Sequence, residues 1–134
     1  MRIAIIAHDS RKELMAQFCT AYLRILSENE LVATGVTGKI VHDATGLPVR
    51  CLYPGGRGGA EQIAAMIGCG EIDMLLFFRD PVSAKPSEPN DVMLLRLCDM
   101  HTIPVATNIA TAEVLIHGLE RGDLAWIELQ RGRK

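Results

Sequence analysis

The chain has 134 residues, of which 49% are hydrophobic and 22% charged, a composition typical of one globular domain with its own core. Its formal net charge of −2 provides no field that would attract nucleic acid or an anionic membrane, and no apolar run reaches the roughly 18 residues of a membrane-spanning helix. The four cysteines form no C-x-x-C pair and no metal-ligand spacing, so we expect reduced thiols, no metal and a cytoplasmic protein.

Short apolar runs alternate along the chain with segments whose apolar residues recur at helical spacing. The run at 2–7 is nearly continuous, as expected for a strand that is covered on both faces. Ser10, followed three residues later by Glu13, predicts a capping box at the start of the first helix. In chain order, the sequence predicts a strand at 2–7, a helix at 10–27, a strand at 31–34, a helix at 39–44, a strand at 48–53, a helix at 58–67, a strand at 73–78, a helix at 90–100, a strand at 103–107 and a helix at 110–120.

Five strands that alternate with five helices predict a parallel sheet with right-handed crossovers and helices on both faces. No internal repeat, low-complexity linker or domain boundary interrupts the pattern. Residues 1–134 are therefore predicted to form a single three-layer α/β/α domain of Rossmann-like type. The tail from 122 onwards is predicted to cover the sheet, and the basic residues at its end, Arg131, Arg133 and Lys134, to be solvated.

Every predicted strand is followed by residues that core packing does not require. In α/β sheets of this kind, ligands bind outside the carboxyl ends of the strands. One polar strand end is ordinary turn chemistry, but five at the same edge predict a binding site. The residues concerned are His8-Asp9 with Lys12 a turn later, the segment 34–38, the segment 54–59, Arg79-Asp80-Pro81, and Thr107-Asn108.

The two glycine-rich segments, 34–38 and 54–59, match no nucleotide-binding fingerprint but suit a small anion. Glycines let backbone N–H groups converge on an oxyanion, and the N-terminus of a following helix adds positive potential. Thr34 and Thr37 supply hydroxyls for the same anion, and Lys12 supplies a positive charge. Tight strand-to-helix turns alone also explain these glycines. Between the ligand classes, we predict a small phosphate or carboxylate compound rather than a nucleotide.

Several motifs in combination resemble the methylglyoxal synthase family. They are Ala7-His8-Asp9, Ala33-Thr34-Gly35-x-Thr37-Gly38, Ala44-Thr45-Gly46, Gly58-Gly59, Phe77-Phe78-Arg79-Asp80-Pro81 and Ile103-Pro104-Val105-Ala106-Thr107-Asn108. The resemblance extends from the first predicted strand to the fifth helix. It implies a five-stranded parallel fold, a homohexamer, and conversion of the small phosphorylated metabolite dihydroxyacetone phosphate to methylglyoxal and phosphate. It implies no metal and no organic cofactor.

The implied reaction needs a base that removes a proton next to the carbonyl, donors that hold the enediolate oxygen, and a grip on the leaving phosphate. The resemblance implies that His8 hydrogen-bonds the substrate oxygens, that Asp9 assists proton transfer, and that Asp80 orients its neighbours or relays a proton. It assigns phosphate binding to Lys12, Thr34, Thr37, Gly55 and Gly56.

The chain departs from the family pattern at several of these positions. The family's principal base is an aspartate where this chain has Ala60, and the loss of a positioned base typically costs about 10²–10⁴ in rate. A family histidine is replaced by Ser87, and a second aspartate by Asn90. Two phosphate contacts also change, to Val36 and Pro54.

Two functions of different classes follow from the residues that are kept and lost. One is an enzyme of the methylglyoxal synthase type, or one that acts on another small phosphorylated carbonyl compound, with Glu61 or Asp9 as substitute base. The other is a binding or regulatory module for a small phosphate ligand, without turnover. Retention of His8, Asp9 and Asp80 favours the enzyme, whereas loss of the base favours the binding module. The enzyme is our first hypothesis.

Overall fold

The computed structural model describes residues 1–131. Its strands are β1 (Arg2–Ala7), β2 (Glu30–Ala33), β3 (Arg50–Cys51), β4 (Met74–Phe78) and β5 (Val105–Ala106). Its helices are α1 (Lys12–Ala21), α2 (Leu23–Ser27), α3 (Gly35–Thr45), α4 (Gly59–Gly68), α5 (Asp91–His101), α6 (Ile109–Arg121) and α7 (Ala125–Gln130). Short 3-10 turns at Asp9–Arg11 and Gly55–Arg57 precede α1 and α4.

The five strands form one parallel sheet in the order β3-β2-β1-β4-β5. At its centre, Ile5 of β1 is in register with Ala33 of β2 on one side and Leu76 of β4 on the other. The chain therefore grows outward from β1 to β3 and then crosses back to β4. The reversal lies between β1 and β4, and sheets of this kind bind ligands near such a point, outside the carboxyl ends of their strands.

Apolar side chains of β1 alternate between two cores, one on each face of the sheet, as the period of two requires. Ile3 and Ile5 pack with buried residues of α1, α3 and α6, whereas Ala4 and Ile6 pack with those of α4 and α5. The prediction of a parallel sheet with helices on both faces is confirmed. Within residues 1–131, no helix is both long enough and apolar enough to cross a membrane.

The first predicted helix is divided at Tyr22, which leaves helical geometry with φ −110° and ψ 30°. Its hydroxyl donates to Glu113 Oε2 at 2.6 Å, which ties it to α6. The predicted capping box is wrong, because Arg11 is the N-cap of α1 and Ser10 instead donates its hydroxyl to Asp80. The predicted strand at 48–53 is reduced to the two residues of β3. Pro48 has no N–H for a sheet hydrogen bond, and the N–H of Tyr53 donates to the side chain of Gln62.

The C-terminal tail lies at the amino-terminal edge of the sheet. Ile127 of α7 is buried, and Glu128 lies 3.6 Å from the terminal ammonium of Met1. The expectation that Arg131 is solvated is wrong, because its Nη1 donates to Asp73 Oδ1 at 2.8 Å and its side chain is 17% exposed. Arg133 and Lys134 lie outside the described residues.

Candidate active site

A cavity of about 120 Å³ lies at the carboxyl ends of β1, β2 and β3. Its walls are the turn after β1, the start of α3, the 3-10 turn before α4, and the segment 87–89. Five of the residues predicted from sequence line it: Asp9, Lys12, Thr34, Gly55 and Gly56. This volume is well below the roughly 300–1,000 Å³ of sites for drug-sized ligands, so the cavity suits a small metabolite.

A larger groove of about 840 Å³ runs beside α3 and the edge strand β3. None of the predicted catalytic or phosphate-binding residues lines it. Two of the charges along it, Lys39 and Asp43, pair with each other at 3.3 Å. The smaller cavity is therefore the candidate active site, because five of the predicted catalytic and phosphate-binding residues line it and none lines the larger groove.

His8 is buried behind the cavity in one defined tautomer. Its Nδ1 accepts a hydrogen bond from the backbone N–H of Asp80 at 2.8 Å. Because a backbone N–H is always the donor, the ring hydrogen must be on Nε2, which lies 3.2 Å from the carbonyl oxygen of Pro89 and donates to it. The ring of Phe77 meets the imidazole edge-on at a centroid distance of 5.1 Å and fixes its plane. His8 is thus a positioned hydrogen-bond donor rather than a proton acceptor.

Three donors bind the carboxylate of Asp80. Ser10 Oγ donates to Oδ2 at 2.6 Å, and the backbone N–H groups of Ser83 and Val82 donate to Oδ1 at 2.8 and 3.1 Å. These hydrogen bonds, the one from Ser10 first, together with the nearby charge of Arg11, lower the pKa of Asp80 to about 2. The group is therefore a stable anion that anchors the turn after β4 and, through its backbone N–H, orients His8.

Lys12 and Asp9 form an ion pair at the rim of the cavity. Lys12 Nζ lies 3.1 Å from Asp9 Oδ1 and donates to the carbonyl oxygen of Ala7 at 2.6 Å. An ammonium group has three N–H donors, so one remains for an incoming oxyanion. The Lys12 side chain is 15% exposed and that of Asp9 67% exposed, so the cation is held firmly while the carboxylate faces solvent.

The two predicted threonines differ in position. Thr34 lines the cavity and is the N-cap of α3, whereas Thr37 lies in the first turn of that helix and does not line the cavity. Thr37 is 1% exposed, and its Oγ1 is buried without a hydrogen-bond partner among the described residues. The amino-terminal end of α3, with its unsatisfied backbone N–H groups, faces the same cavity through Thr34 and Val36.

Gly55 and Gly56 allow the segment 87–89 to close over the cavity. A Cβ at Gly56 would lie 1.9 Å from the carbonyl oxygen of Ser87, and one at Gly55 would lie 2.5 Å from the ring of Pro89. Both distances are far inside van der Waals contact. The glycines are therefore required for close approach of backbone, whatever part they take in binding an anion.

The positions at which the chain departs from the family pattern contribute no proton acceptor to the cavity. Ala60 is 1% exposed and packs in the apolar core under α4 and α5. The Glu61 side chain is exposed and does not line the cavity. Asn90 caps α5 by accepting from Val92 N–H at 3.0 Å, and Asp91 pairs with Arg79 at 2.7 Å.

Sequence reasoning missed one carboxylate in the cavity wall, that of Glu88. Its Oε2 lies 3.3 Å from the backbone nitrogen of Asp9 and accepts that hydrogen bond. The residue lies in an irregular segment between two prolines, where no periodicity predicts its neighbours. The glycine turn that closes against this segment is far away in the sequence, so no local pattern marks Glu88 as a site residue.

No group of three or more His, Cys, Asp and Glu side chains within residues 1–131 is arranged to hold a metal ion. The groups described at the cavity are instead the Lys12 ammonium, the Thr34 hydroxyl, the end of α3 and the carboxylates of Asp9 and Glu88, with the His8 imidazole buried behind them. This set can bind a small anion, donate a hydrogen bond to a carbonyl oxygen, and accept a proton.

Comparison with known proteins gives a consistent result. The family model for the MGS-like domain matches residues 15–107. A methylglyoxal synthase of Caldicellulosiruptor saccharolyticus is 57% identical over 129 residues, which cover 96% of this chain and 92% of that protein. A methylglyoxal synthase of Oceanobacillus iheyensis is 54% identical over 134 residues, which cover 100% of this chain and 96% of that protein. The crystal structure of methylglyoxal synthase from Elizabethkingia anophelis superposes with a TM-score of 0.84 at 33% identity, covering 86% of this chain and 76% of that one.

Proposed function

The chain belongs to the MGS-like domain family, and from that premise we propose that it is a lyase of the methylglyoxal synthase type, which converts dihydroxyacetone phosphate to methylglyoxal and phosphate. The identity of more than half to methylglyoxal synthases, over nearly the whole length of both proteins, supports this activity. The resemblance found in the sequence motifs is confirmed by the same comparisons.

The observation that carries the proposal is the small cavity in which Lys12, Thr34 and the end of α3 meet two carboxylates. A phosphate group fits the cationic side, because Lys12 Nζ and helix N–H groups are donors for oxyanions. The carbonyl part of the substrate then lies among the remaining lining groups. A cavity of about 120 Å³ suits a triose phosphate better than a nucleotide, in agreement with the lack of a nucleotide-binding fingerprint.

In this proposal, His8 Nε2–H leaves the carbonyl oxygen of Pro89 and donates to the substrate carbonyl oxygen as that oxygen gains negative charge. A neutral imidazole already held in the Nε2–H form by the Asp80 backbone needs no proton rearrangement before the reaction. Asp80 acts on the reaction through the imidazole and the turn, since its own oxygens are occupied by three donors. Lys12 neutralises charge on the departing phosphate.

Incubation with dihydroxyacetone phosphate tests the activity directly. We expect methylglyoxal and inorganic phosphate to form in equal amounts and in proportion to the protein concentration. Lys12→Ala should raise KM and lower kcat, whereas Lys39→Ala, which removes an exposed lysine paired with Asp43, should leave both unchanged. Phosphate release no faster than in protein-free buffer, at high protein concentration, would refute the lyase.

A second candidate function is a small phosphate-ligand binding or regulatory module without turnover, and a third is turnover of a different small phosphorylated carbonyl compound. Ala60 favours the binding module, because the buried methyl group at the family's base position has no proton-accepting atom. Calorimetry with phosphate and phosphoglycolate distinguishes the cases. Saturable binding that is weakened by Lys12→Ala, without any product, supports the module, and a panel of phosphorylated aldehydes and ketones tests the altered substrate.

We further propose that the protein works in the cytoplasm as a homohexamer, with a small phosphorylated metabolite as its partner. Exposed thiols at Cys51 and Cys69 suit a reducing compartment. Large apolar side chains left exposed by a single chain, such as Tyr53 at 65% and Val82 at 90%, suit burial between subunits. Light scattering after size-exclusion chromatography should give six times the chain mass of 14.7 kDa, and a monomer would contradict the hexamer.

A further inference from the structure

We propose that Glu88 is the catalytic base of this chain and replaces the family aspartate whose position is occupied by Ala60. The inference rests on the proposed lyase activity and identifies the group that takes the substrate proton.

Most candidate bases near the strand ends already accept hydrogen bonds, form an ion pair or do not line the cavity. His8 carries its hydrogen on Nε2 and offers its other nitrogen to a backbone N–H, so it has no free lone pair. Asp80 accepts three hydrogen bonds, and its lowered pKa makes it a poor proton acceptor. Asp91 is paired with Arg79, and Glu61 does not line the cavity.

Two carboxylates therefore line the cavity, those of Asp9 and Glu88. Asp9 Oδ1 is held by the Lys12 ammonium at 3.1 Å, and its side chain is 67% exposed. Water and a lysine cation both compete with a substrate C–H for its lone pairs. Asp9 is thus better suited to hold Lys12 in position than to remove a proton from carbon.

Glu88 has the opposite surroundings. It is partly buried, and among the described contacts only the backbone N–H of Asp9 is bound to its carboxylate, through Oε2 at 3.3 Å. One oxygen is thereby fixed, while Oε1 remains for a substrate proton. The contacts of Ser87 and Pro89 with Gly56 and Gly55 hold the residues on either side against the cavity wall. A base held at both sides, and less exposed to solvent than Asp9, meets the geometric demands of proton abstraction.

The step balances without any further reactant. Glu88 takes a proton from the hydroxymethyl carbon of dihydroxyacetone phosphate, and the electron pair forms a carbon–carbon double bond as the carbonyl oxygen becomes an enediolate oxygen near His8. The hydroxyl proton of the terminal carbon then passes to the phosphate group as that carbon becomes an aldehyde. The carbon–carbon double bond shifts to the phosphate-bearing carbon, and the carbon–oxygen bond to phosphate breaks with its electron pair leaving on the hydrogen phosphate. The remaining enolate takes the proton held by Glu88 at its methylene carbon, which yields methylglyoxal and returns Glu88 to its ionised form.

Proton abstraction is measured separately from phosphate release by following deuterium incorporation into dihydroxyacetone phosphate in D₂O by NMR. Glu88→Gln keeps an oxygen that can accept the Asp9 N–H but removes the base. It should lower both exchange and kcat by about 100-fold or more with little change in KM. Glu88→Asp should recover part of the rate. Glu13→Gln, a matched change at an exposed glutamate of α1 outside the cavity, should leave the rate unchanged.

The outcomes separate the two proposals. Undiminished exchange in Glu88→Gln, or exchange that persists there and is lost in Asp9→Asn or Glu61→Gln, overturns the assignment of the base while the lyase stands. Exchange that depends on Glu88 without release of phosphate supports the base and refutes the lyase. A wild-type protein that catalyses neither exchange nor release overturns both. Circular dichroism shows whether each variant is folded, and the rates of Glu88→Gln are compared with wild type only for folded protein.

Discussion

At the scale of single residues, the site depends on groups that are fixed by hydrogen bonds before any ligand arrives. The imidazole of His8 has its tautomer set by the backbone N–H of Asp80, and the ammonium of Lys12 is held between a carbonyl oxygen and Asp9. Such groups need little reorganisation when charge develops on a substrate, which is the main source of electrostatic catalysis. The Asp80 carboxylate anchors the turn whose backbone N–H holds His8.

The pKa of Asp80 predicts how that order responds to acid. Because the pKa falls from 3.8 to about 2 in the folded chain, the ionised carboxylate stabilises the fold above pH 3.8, and this contribution is lost as the pH falls towards 2. Asp80→Asn should therefore lower the melting temperature at neutral pH, and its difference from wild type should shrink over that acid range.

Melting curves recorded at a series of pH values measure this difference. Asp43→Asn is the matched control, because Asp43 is 59% exposed and paired with an exposed lysine, so little change is expected at any pH. A difference between Asp80→Asn and wild type that stays constant from neutral pH to pH 2 would contradict the proposed role of the ionised carboxylate.

At the scale of elements, the segment 86–90 is held by its two neighbours rather than by regular structure of its own. On one side the glycines of the 3-10 turn admit its backbone, and on the other Asn90 caps α5. The carbonyl oxygen of Pro89 also accepts from His8 Nε2. The segment therefore joins the turn before α4, the start of α5 and the end of β1 around the cavity.

Gly56→Ala tests the close packing of this segment. The added Cβ would lie 1.9 Å from the Ser87 carbonyl oxygen, so backbone must move, at a cost of about 1–3 kcal/mol in the free energy of unfolding. The movement should also displace Glu88 and lower kcat. Gly68→Ala is the control, because nothing lies within 4 Å of its Cβ. Urea unfolding measures the stability of each variant, and steady-state kinetics measures its kcat. Equal stability of Gly56→Ala and Gly68→Ala would refute the close packing of this segment.

The cap of α5 makes a separate prediction. Asn90→Ala removes an acceptor for the N–H groups of Val92 and Met93 and should cost about 1 kcal/mol of stability. Asn90→Asp keeps the acceptor and adds a negative charge at a helix N-terminus, so it should be at least as stable as wild type. Thermal unfolding measures the stability of both variants. Equal losses of stability in Asn90→Ala and Asn90→Asp would mean that the side-chain acceptor contributes nothing.

The sequence predicted accurately those elements that local patterns determine, and it failed where contacts between distant residues determine the structure. β1 and β4 are continuous apolar runs, and both were predicted to within a residue. The start of α3 was missed because the segment Gly35–Gly38 has poor helix formers, and its helical form depends on packing against β3. Glu88 was missed for a related reason, since only contact with a glycine turn far away in sequence brings it to the cavity. The residues after β1, β2 and β3 could be predicted because topology alone places them together, whereas Arg79, Thr107 and Asn108 line a separate cavity.

At the scale of the whole molecule, the two edges of the sheet have different roles. The carboxyl edge holds the cavity, with His8, Lys12 and Glu88 around it. The amino edge is closed by Asp73, which is fully buried, accepts from the backbone N–H of Arg2 at 2.8 Å, and pairs with Arg131 at 2.8 Å. Stability can therefore change at one edge without altering the chemistry at the other.

Arg131→Ala tests this division. The variant removes a charged hydrogen bond to the buried Asp73 carboxylate and frees the end of α7, so the free energy of unfolding should fall by about 1.5–3 kcal/mol. The kcat and KM for dihydroxyacetone phosphate should not change, because the opposite edge keeps its contacts. In the control Arg121→Ala, the lost pair with Asp123 is solvent-exposed, and the expected cost is below about 1 kcal/mol. A lower kcat in folded Arg131→Ala protein would show that the two edges are coupled, and a loss of stability no larger than in Arg121→Ala would mean that the ion pair does not hold α7 in place.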